Sequence, residues 1–130
     1  MTHVFDVQVY YEDTDFSGVV YHANYLRYFE RAREHILGPR ELVRMWQEDG
    51  TGFVVYKASL NYKEGAVFGD ILEIRSDMRL ESDVRVSFAQ RAVRKSDGKL
   101  LVDGVVEMVC VDAKRQLVSL RGMLTHLTIV

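Results

Sequence analysis

Residues 11–34 read YEDTDFSGVVYHANYLRYFERARE, and the chain changes character twice within them. The segment before them alternates. Over residues 5–11, Phe5, Val7, Val9 and Tyr11 fall on one side and Asp6, Gln8 and Tyr10 on the other. A period of two predicts a strand. The acidic residues Glu12, Asp13 and Asp15 and then Gly18 break it. From about Asn24 the spacing becomes helical: Tyr25, Tyr28, Phe29, Ala32 and Ile36 share one apolar face. Arg27, Glu30, Arg31, Arg33 and Glu34 fall largely off that face, with Glu30 and Arg33 spaced to pair. Gly38-Pro39 stops the helix, because glycine suits a left-handed cap and proline cannot continue the hydrogen-bond ladder. The order is therefore strand, acidic turn, helix N-terminus.

Working outward, residues 40–48 suit a short second helix with Leu42, Val43 and Trp46 packing inward. Four strands follow. Residues 53–62 place Val54, Tyr56, Ala58, Leu60 and Tyr62 on one face, and residues 70–80 place Leu72, Ile74, Met78 and Leu80 on one face. Residues 84–94 set Val84, Val86, Phe88 and Ala92 against Arg85, Ser87 and Arg91. Residues 100–111 form the longest apolar strand, and Gly104 in its middle marks a bulge or a close approach of other backbone. Glu81-Ser82-Asp83 and Ser96-Asp97-Gly98 are tight connections, the second carrying the Asp-Gly pair favoured in hairpins. The tail 117–130 can add a short strand, and its apolar end, 123–130, is expected to pack on the domain or on a neighbouring subunit. One long helix with five antiparallel strands predicts an α+β fold in which the helix lies on a single curved sheet.

The chain has 130 residues and suits one domain, 1–130. Such a length buries roughly two-thirds of the unfolded surface. Its net charge of −2 leaves no electrostatic footprint for nucleic acid. Cys110, alone in an apolar run, cannot form an internal disulfide and reads as a buried small hydrophobe. The first residues lack a basic stretch followed by an apolar one, and no segment approaches the run of about 20 apolar residues that spans a bilayer. The expected address is the cytoplasm. No metal or organic cofactor is expected.

Three carboxylates sit directly before a helix start. Helix N-termini present unpaired N–H groups and partial positive charge. A carbonyl placed there is polarised, and a nearby carboxylate can attack it or activate water. On residue chemistry alone, the same acids can simply complement the helix dipole, Gly18 can be a turn glycine, and His22 can be a surface or capping residue.

The segment resembles the signature of the 4-hydroxybenzoyl-CoA thioesterase family, and within it the bacterial YbgC branch of Tol-Pal-associated acyl-CoA thioesterases. Asp13, Asp15, Gly18, Val19, Val20, Tyr21, His22, Asn24, Tyr25, Phe29, Glu30, Arg31 and Ala32 match its pattern. Weaker similarity runs through Phe53-Val54-Val55, Tyr62, Asp70 and Gln90-Arg91 to Asp112. The resemblance implies a hotdog fold, a curved antiparallel sheet wrapped around one long helix. It implies dimers joined sheet edge to sheet edge, often paired into tetramers, and an acyl-CoA substrate. It singles out Asp15 as essential, as nucleophile or general base. It assigns carbonyl polarisation to the backbone at His22, whose side chain can assist with water. Gly18, Tyr21, Asn24 and Tyr25 are expected at the substrate. Asp13 and Glu12 are supporting acids. The chain departs from the pattern at Phe16-Ser17, at Glu64-Gly65-Ala66 and at Arg85, which bears on acyl specificity.

Three rival readings differ in class. Asp13 to Gly18 after an apolar strand also resembles the first motif of magnesium-dependent haloacid dehalogenase-type phosphatases, with Asp13 as nucleophile. The short chain and the run of antiparallel strands do not supply the alternating strand and helix units of that fold. A non-catalytic hotdog scaffold that binds acyl carrier protein or a cell-envelope partner is the main alternative. A hotdog hydratase sets its catalytic Asp and His closer than Asp15 and His22, seven positions apart.

Overall fold

Alternating apolar residues build five strands, β1 (His3–Gln8), β2 (Gly52–Tyr62), β3 (Ile71–Leu80), β4 (Arg85–Arg94) and β5 (Leu100–Val111). They pair antiparallel in the order β1-β3-β4-β5-β2. This computed structural model describes residues 1–120. Helix α1 (Asn24–Leu37) packs on β1, β3 and β4. Gly38 caps it at φ +92°, a conformation that costs glycine little. Pro39 then opens helix α2 (Pro39–Arg44), where its missing N–H is not needed.

Two groups of buried side chains lie between helix and sheet. Tyr25, Tyr28, Phe29 and Ala32 of α1 meet Val7, Leu72, Ile74, Ala92 and Val102 at the N-terminal half of the helix. Leu37, Met45, Val86, Phe88, Val106, Met108, Cys110 and Leu120 form the second group. Burying each large side chain contributes roughly 1.5–3 kcal/mol. Gly104 sits opposite Leu60 across β5 and β2, and a Cβ there would lie 2.5 Å from the Ser59 carbonyl oxygen. The close backbone approach expected from the sequence is therefore real.

Five expectations need correction. Tyr11 does not continue β1. It lies in a 3₁₀ turn (Tyr11–Asp13) and is exposed, because Val9 already leaves the ladder to bond Asp70 and Gly69. Val43 and Trp46 are exposed, and the inward positions are Leu42 and Met45. There α2 runs into a π-helical turn (Met45–Asp49), whose wider winding changes which residue faces the core. Arg33 is not on the outer face but is only 6% exposed. Leu80 is exposed at the end of β3.

The fifth concerns β2. Its register jumps between Val55 and Lys57, so Phe53 and Val55 oppose the inward Cys110 and Met108, and Val54 moves to the other face. A bulge inserts one residue and exchanges the faces on either side of it. Val55, Tyr56, Ala58 and Tyr62 all remain exposed, because β2 is an edge strand beyond the elements that α1 covers. Leu117 bridges to Val111. The expected packing of 123–130 falls outside the described residues.

Candidate active site

The acidic turn is held by its own backbone and side chains. Asp13 Oδ2 accepts the Tyr10 N–H at 2.8 Å, which closes the 3₁₀ turn and occupies that carboxylate. The Asp13 carbonyl accepts two further bonds, from the Tyr21 N–H and from Asn24 Nδ2, each at 2.9 Å. These tie the turn to the first residue of α1. The chain then folds back on itself: Asp15 N–H donates to the Val19 carbonyl at 2.8 Å and Gly18 N–H to the Asp15 carbonyl at 3.0 Å. Gly18 has φ +88°, which only glycine adopts without strain.

Asp15 is exposed at the head of this turn. Its Oδ1 accepts the Ser17 hydroxyl at 2.6 Å and the Ser17 N–H at 2.8 Å. These bonds, the hydroxyl first, hold the Asp15 carboxyl below the usual carboxylate range. Asp15 is thus a carboxylate with a fixed orientation at neutral pH.

The helix start supplies the donors. Asn24 N–H bonds the Tyr21 carbonyl at 2.8 Å and Leu26 N–H the Ala23 carbonyl at 3.2 Å. The His22 and Ala23 N–H groups make no hydrogen bond among the described residues. Such orphan amides are the normal consequence of helix geometry. The His22 carbonyl is held by the Tyr62 hydroxyl at 3.0 Å. The Tyr62 ring meets those of His22 and Tyr25 edge-on, with centroids 6.1 and 5.9 Å apart. Tyr25 is buried, and its hydroxyl accepts the Ala66 N–H at 3.3 Å. Burial pushes that phenol up.

The far wall is the connection after β2. Val20 N–H bonds the Ala66 carbonyl at 2.9 Å, and Val19 bridges to Val67. A Cβ on Gly65 would lie 2.7 Å from Val19 Cγ1, so the two loops touch. Between them opens a groove of about 290 Å³ lined by Asp15, Val19, Val20, His22, Tyr25 and the segment 62–65.

Asp15, His22 and Tyr25 line this one groove. Gly18, Tyr21 and Asn24 do not line the groove. Gly18 shapes the turn, Asn24 braces it, and Tyr21 is exposed with its ring 4.6 Å from that of His22. Sequence reasoning missed Tyr62, Lys63, Glu64 and Gly65 as groove residues. The available signals were Tyr62 within the weaker similarity and the departure at 64–66. An ionised, oriented carboxylate and the unbonded amide of His22 on one open groove suit acyl transfer.

A long helix on an antiparallel sheet, with this turn at its N-terminus, defines a protein of the hotdog type. The chain belongs to the thioesterase-like superfamily, whose sequence profile matches residues 9–126. It is similar to the acyl-CoA thioesterase YbgC of Haemophilus influenzae, 36% identical over 110 residues that cover 83% of this chain and 79% of that protein. The acyl-CoA thioester hydrolase YbgC of Escherichia coli O6:H1 is 38% identical over 107 residues, 82% of this chain and 79% of that one. The crystal structure of a 1,4-dihydroxy-2-naphthoyl-CoA thioesterase from Synechocystis superposes with a TM-score of 0.85 at 25% identity, covering 92% of this chain and 90% of that one.

Proposed function

We propose that the protein hydrolyses acyl-CoA thioesters to a carboxylic acid and free CoA, with Asp15 at the reacting carbonyl. The observation that carries this reading is the shared groove: the Asp15 carboxylate and the helix start at His22 line one opening. The substrate class rests on the named relatives. The thioester carbonyl oxygen takes the His22 N–H at the helix N-terminus, where the dipole favours developing negative charge. Two routes then use Asp15. As nucleophile, its carboxylate adds to the carbonyl carbon and expels the CoA thiolate, leaving a mixed anhydride that water cleaves. As general base, it takes a proton from water that attacks the same carbon, and the thiolate again leaves. The thiolate is a competent leaving group, so neither route needs a strong general acid. The His22 imidazole borders the same groove and can orient the water.

The reading extends to a homodimer joined along the edge of β2, which pairs further into a tetramer. Its support is the uncovered edge strand, whose Val54, Val55 and Tyr56 are exposed. A cytoplasmic address accords with the finding that, among the described residues, no helix is long and apolar enough to cross a membrane. Acyl carrier protein is the partner to test beside CoA, and association with the Tol-Pal system is the context that the YbgC resemblance suggests.

The experiment is free-thiol release from aliphatic and aromatic acyl-CoAs by wild type and Asp15→Asn. Hydrolysis by the wild type and near-complete loss in the folded variant support the reading. Equal rates in both would remove Asp15 from the chemistry. No cleavage of any substrate would favour the non-catalytic scaffold.

A further inference from the structure

We propose that Tyr62 is a positioning residue for hydrolysis: its hydroxyl fixes the His22–Ala23 peptide plane just before α1, and thereby steadies the His22 backbone whose N–H receives the thioester oxygen. This rests on the hydrolase reading above and adds to it a residue 40 positions away on another element.

The His22 carbonyl is the place to begin. In a regular α-helix it would accept the N–H of Leu26, four residues on. Here Leu26 N–H goes to Ala23 instead, at 3.2 Å, so the helix ladder leaves the His22 carbonyl without a donor. Tyr62 Oη–H supplies one at 3.0 Å. The peptide between His22 and Ala23 is a rigid plane, so holding its oxygen also sets the direction of the Ala23 N–H. Fixing that plane limits the rotation about the His22 Cα, and so steadies the His22 N–H as well.

Tyr62 is well placed for this. It ends β2, paired with Val102 of β5, and so hangs from the sheet rather than from a loop. Its ring is fixed edge-on between those of His22 and Tyr25. Although Tyr62 is half exposed, partial desolvation holds its hydroxyl above the usual tyrosine value, so it stays protonated through the neutral range. Tyr62 itself lines the groove beside Asp15.

The test is Tyr62→Phe, which keeps the ring and removes only the donor. Turnover is expected to fall about 10-fold with KM nearly unchanged, less than the 10²–10³ of losing an oxyanion donor outright. The readout that a merely structural role would not move is the infrared carbonyl stretch of benzoyl-CoA bound to Asp15→Asn. It should lie closer to its free value in Asp15→Asn/Tyr62→Phe. Amide NMR should show the His22 and Ala23 resonances shifted most. Thermal melts check that the variants fold. Unchanged turnover in Tyr62→Phe, with Asp15→Asn inactive, would overturn this proposal alone. So would a loss confined to KM with an unmoved carbonyl stretch. A wild type that cleaves no acyl-CoA would overturn the hydrolase reading and this one together.

Discussion

Among the described residues, two grooves flank helix α1, and they differ in what their polar groups are bonded to. Toward the C-terminal half, a groove of about 450 Å³ is lined mainly by apolar side chains, among them Leu37, Leu42, Trp46, Phe53 and Met108. Its buried charge is Arg33, whose Nη1 donates to Gln90 Oε1 at 3.0 Å. Gln90 Nε2 in turn donates to the Phe29 carbonyl at 3.0 Å and to Ser76 Oγ at 2.9 Å. Burial draws the Arg33 guanidinium below its usual value while Glu30 and Glu34 oppose that shift. Arg33 and Gln90 are thereby spent on joining helix to sheet, while Glu30 and Glu34 on the same groove are exposed. At the N-terminal groove, of about 290 Å³, the His22 amide is unbonded among the described residues and the Asp15 side chain is exposed. On the proposed reading, the reacting groove is the one at the helix start whose His22 amide is unbonded, not the larger one.

Two substitutions should separate the grooves cleanly. Asp15→Asn should lower turnover by about 10³-fold or more, equivalent to roughly 4 kcal/mol of barrier. Its urea midpoint should stay near that of the wild type, because Asp15 is exposed. Arg33→Met should do the reverse. Leaving Gln90 without its buried partner should destabilise the fold by about 1–3 kcal/mol. The folded fraction should keep its turnover within a few-fold of wild type. A stable but inactive Arg33→Met would break the comparison.

The same contrast shows what a sequence can disclose. The strand, turn and helix of the opening segment were legible because each rests on local periodicity or on a glycine at a forced φ. Gly104 announced a close approach before its neighbour Ser59 was known. Arg33 was misread because the group that makes its burial affordable, Gln90, lies 57 residues away on β4. Tyr62 was visible only as one aromatic in an alternating strand, since nothing local reveals that its hydroxyl reaches the His22 carbonyl. The face of β2 was misassigned because a bulge leaves no mark on residue type. Within the acidic turn, residue chemistry could not separate Asp13 from Asp15. The resemblance favours Asp15, and of the two only Asp15 lines the groove beside His22.

Gly65→Ala probes the contact that holds the N-terminal groove open. The added methyl would lie 2.7 Å from Val19 Cγ1, closer than packing permits. Relieving it must move the Val19 segment, and with it the turn that carries Asp15. The expected cost is about 1–2 kcal/mol of stability. Turnover should fall by several-fold, because small misplacements of reacting groups are costly. Wild-type values for both would mean that the two loops adjust independently.

The smallest effect is the sharpest test of the carboxylate. Ser17→Ala removes the 2.6 Å hydroxyl bond to Asp15 Oδ1 and leaves the 2.8 Å amide bond in place. Both bonds favour the ionised form, so the folded pKa lies below the unfolded value of about 4. Activity that needs the carboxylate is then full at neutral pH and falls as pH drops through that lowered pKa. Losing the hydroxyl raises the pKa part of the way back, so the acidic limb of kcat/KM should move to higher pH. At pH 7 the carboxylate stays ionised in both proteins, and turnover should differ by no more than about two-fold. Folding follows the same sign: the bond's contribution is present above the unfolded pKa and lost as pH falls through the folded one. An acidic limb unmoved by Ser17→Ala would mean that the group titrating in the reaction is not the carboxylate that Ser17 holds.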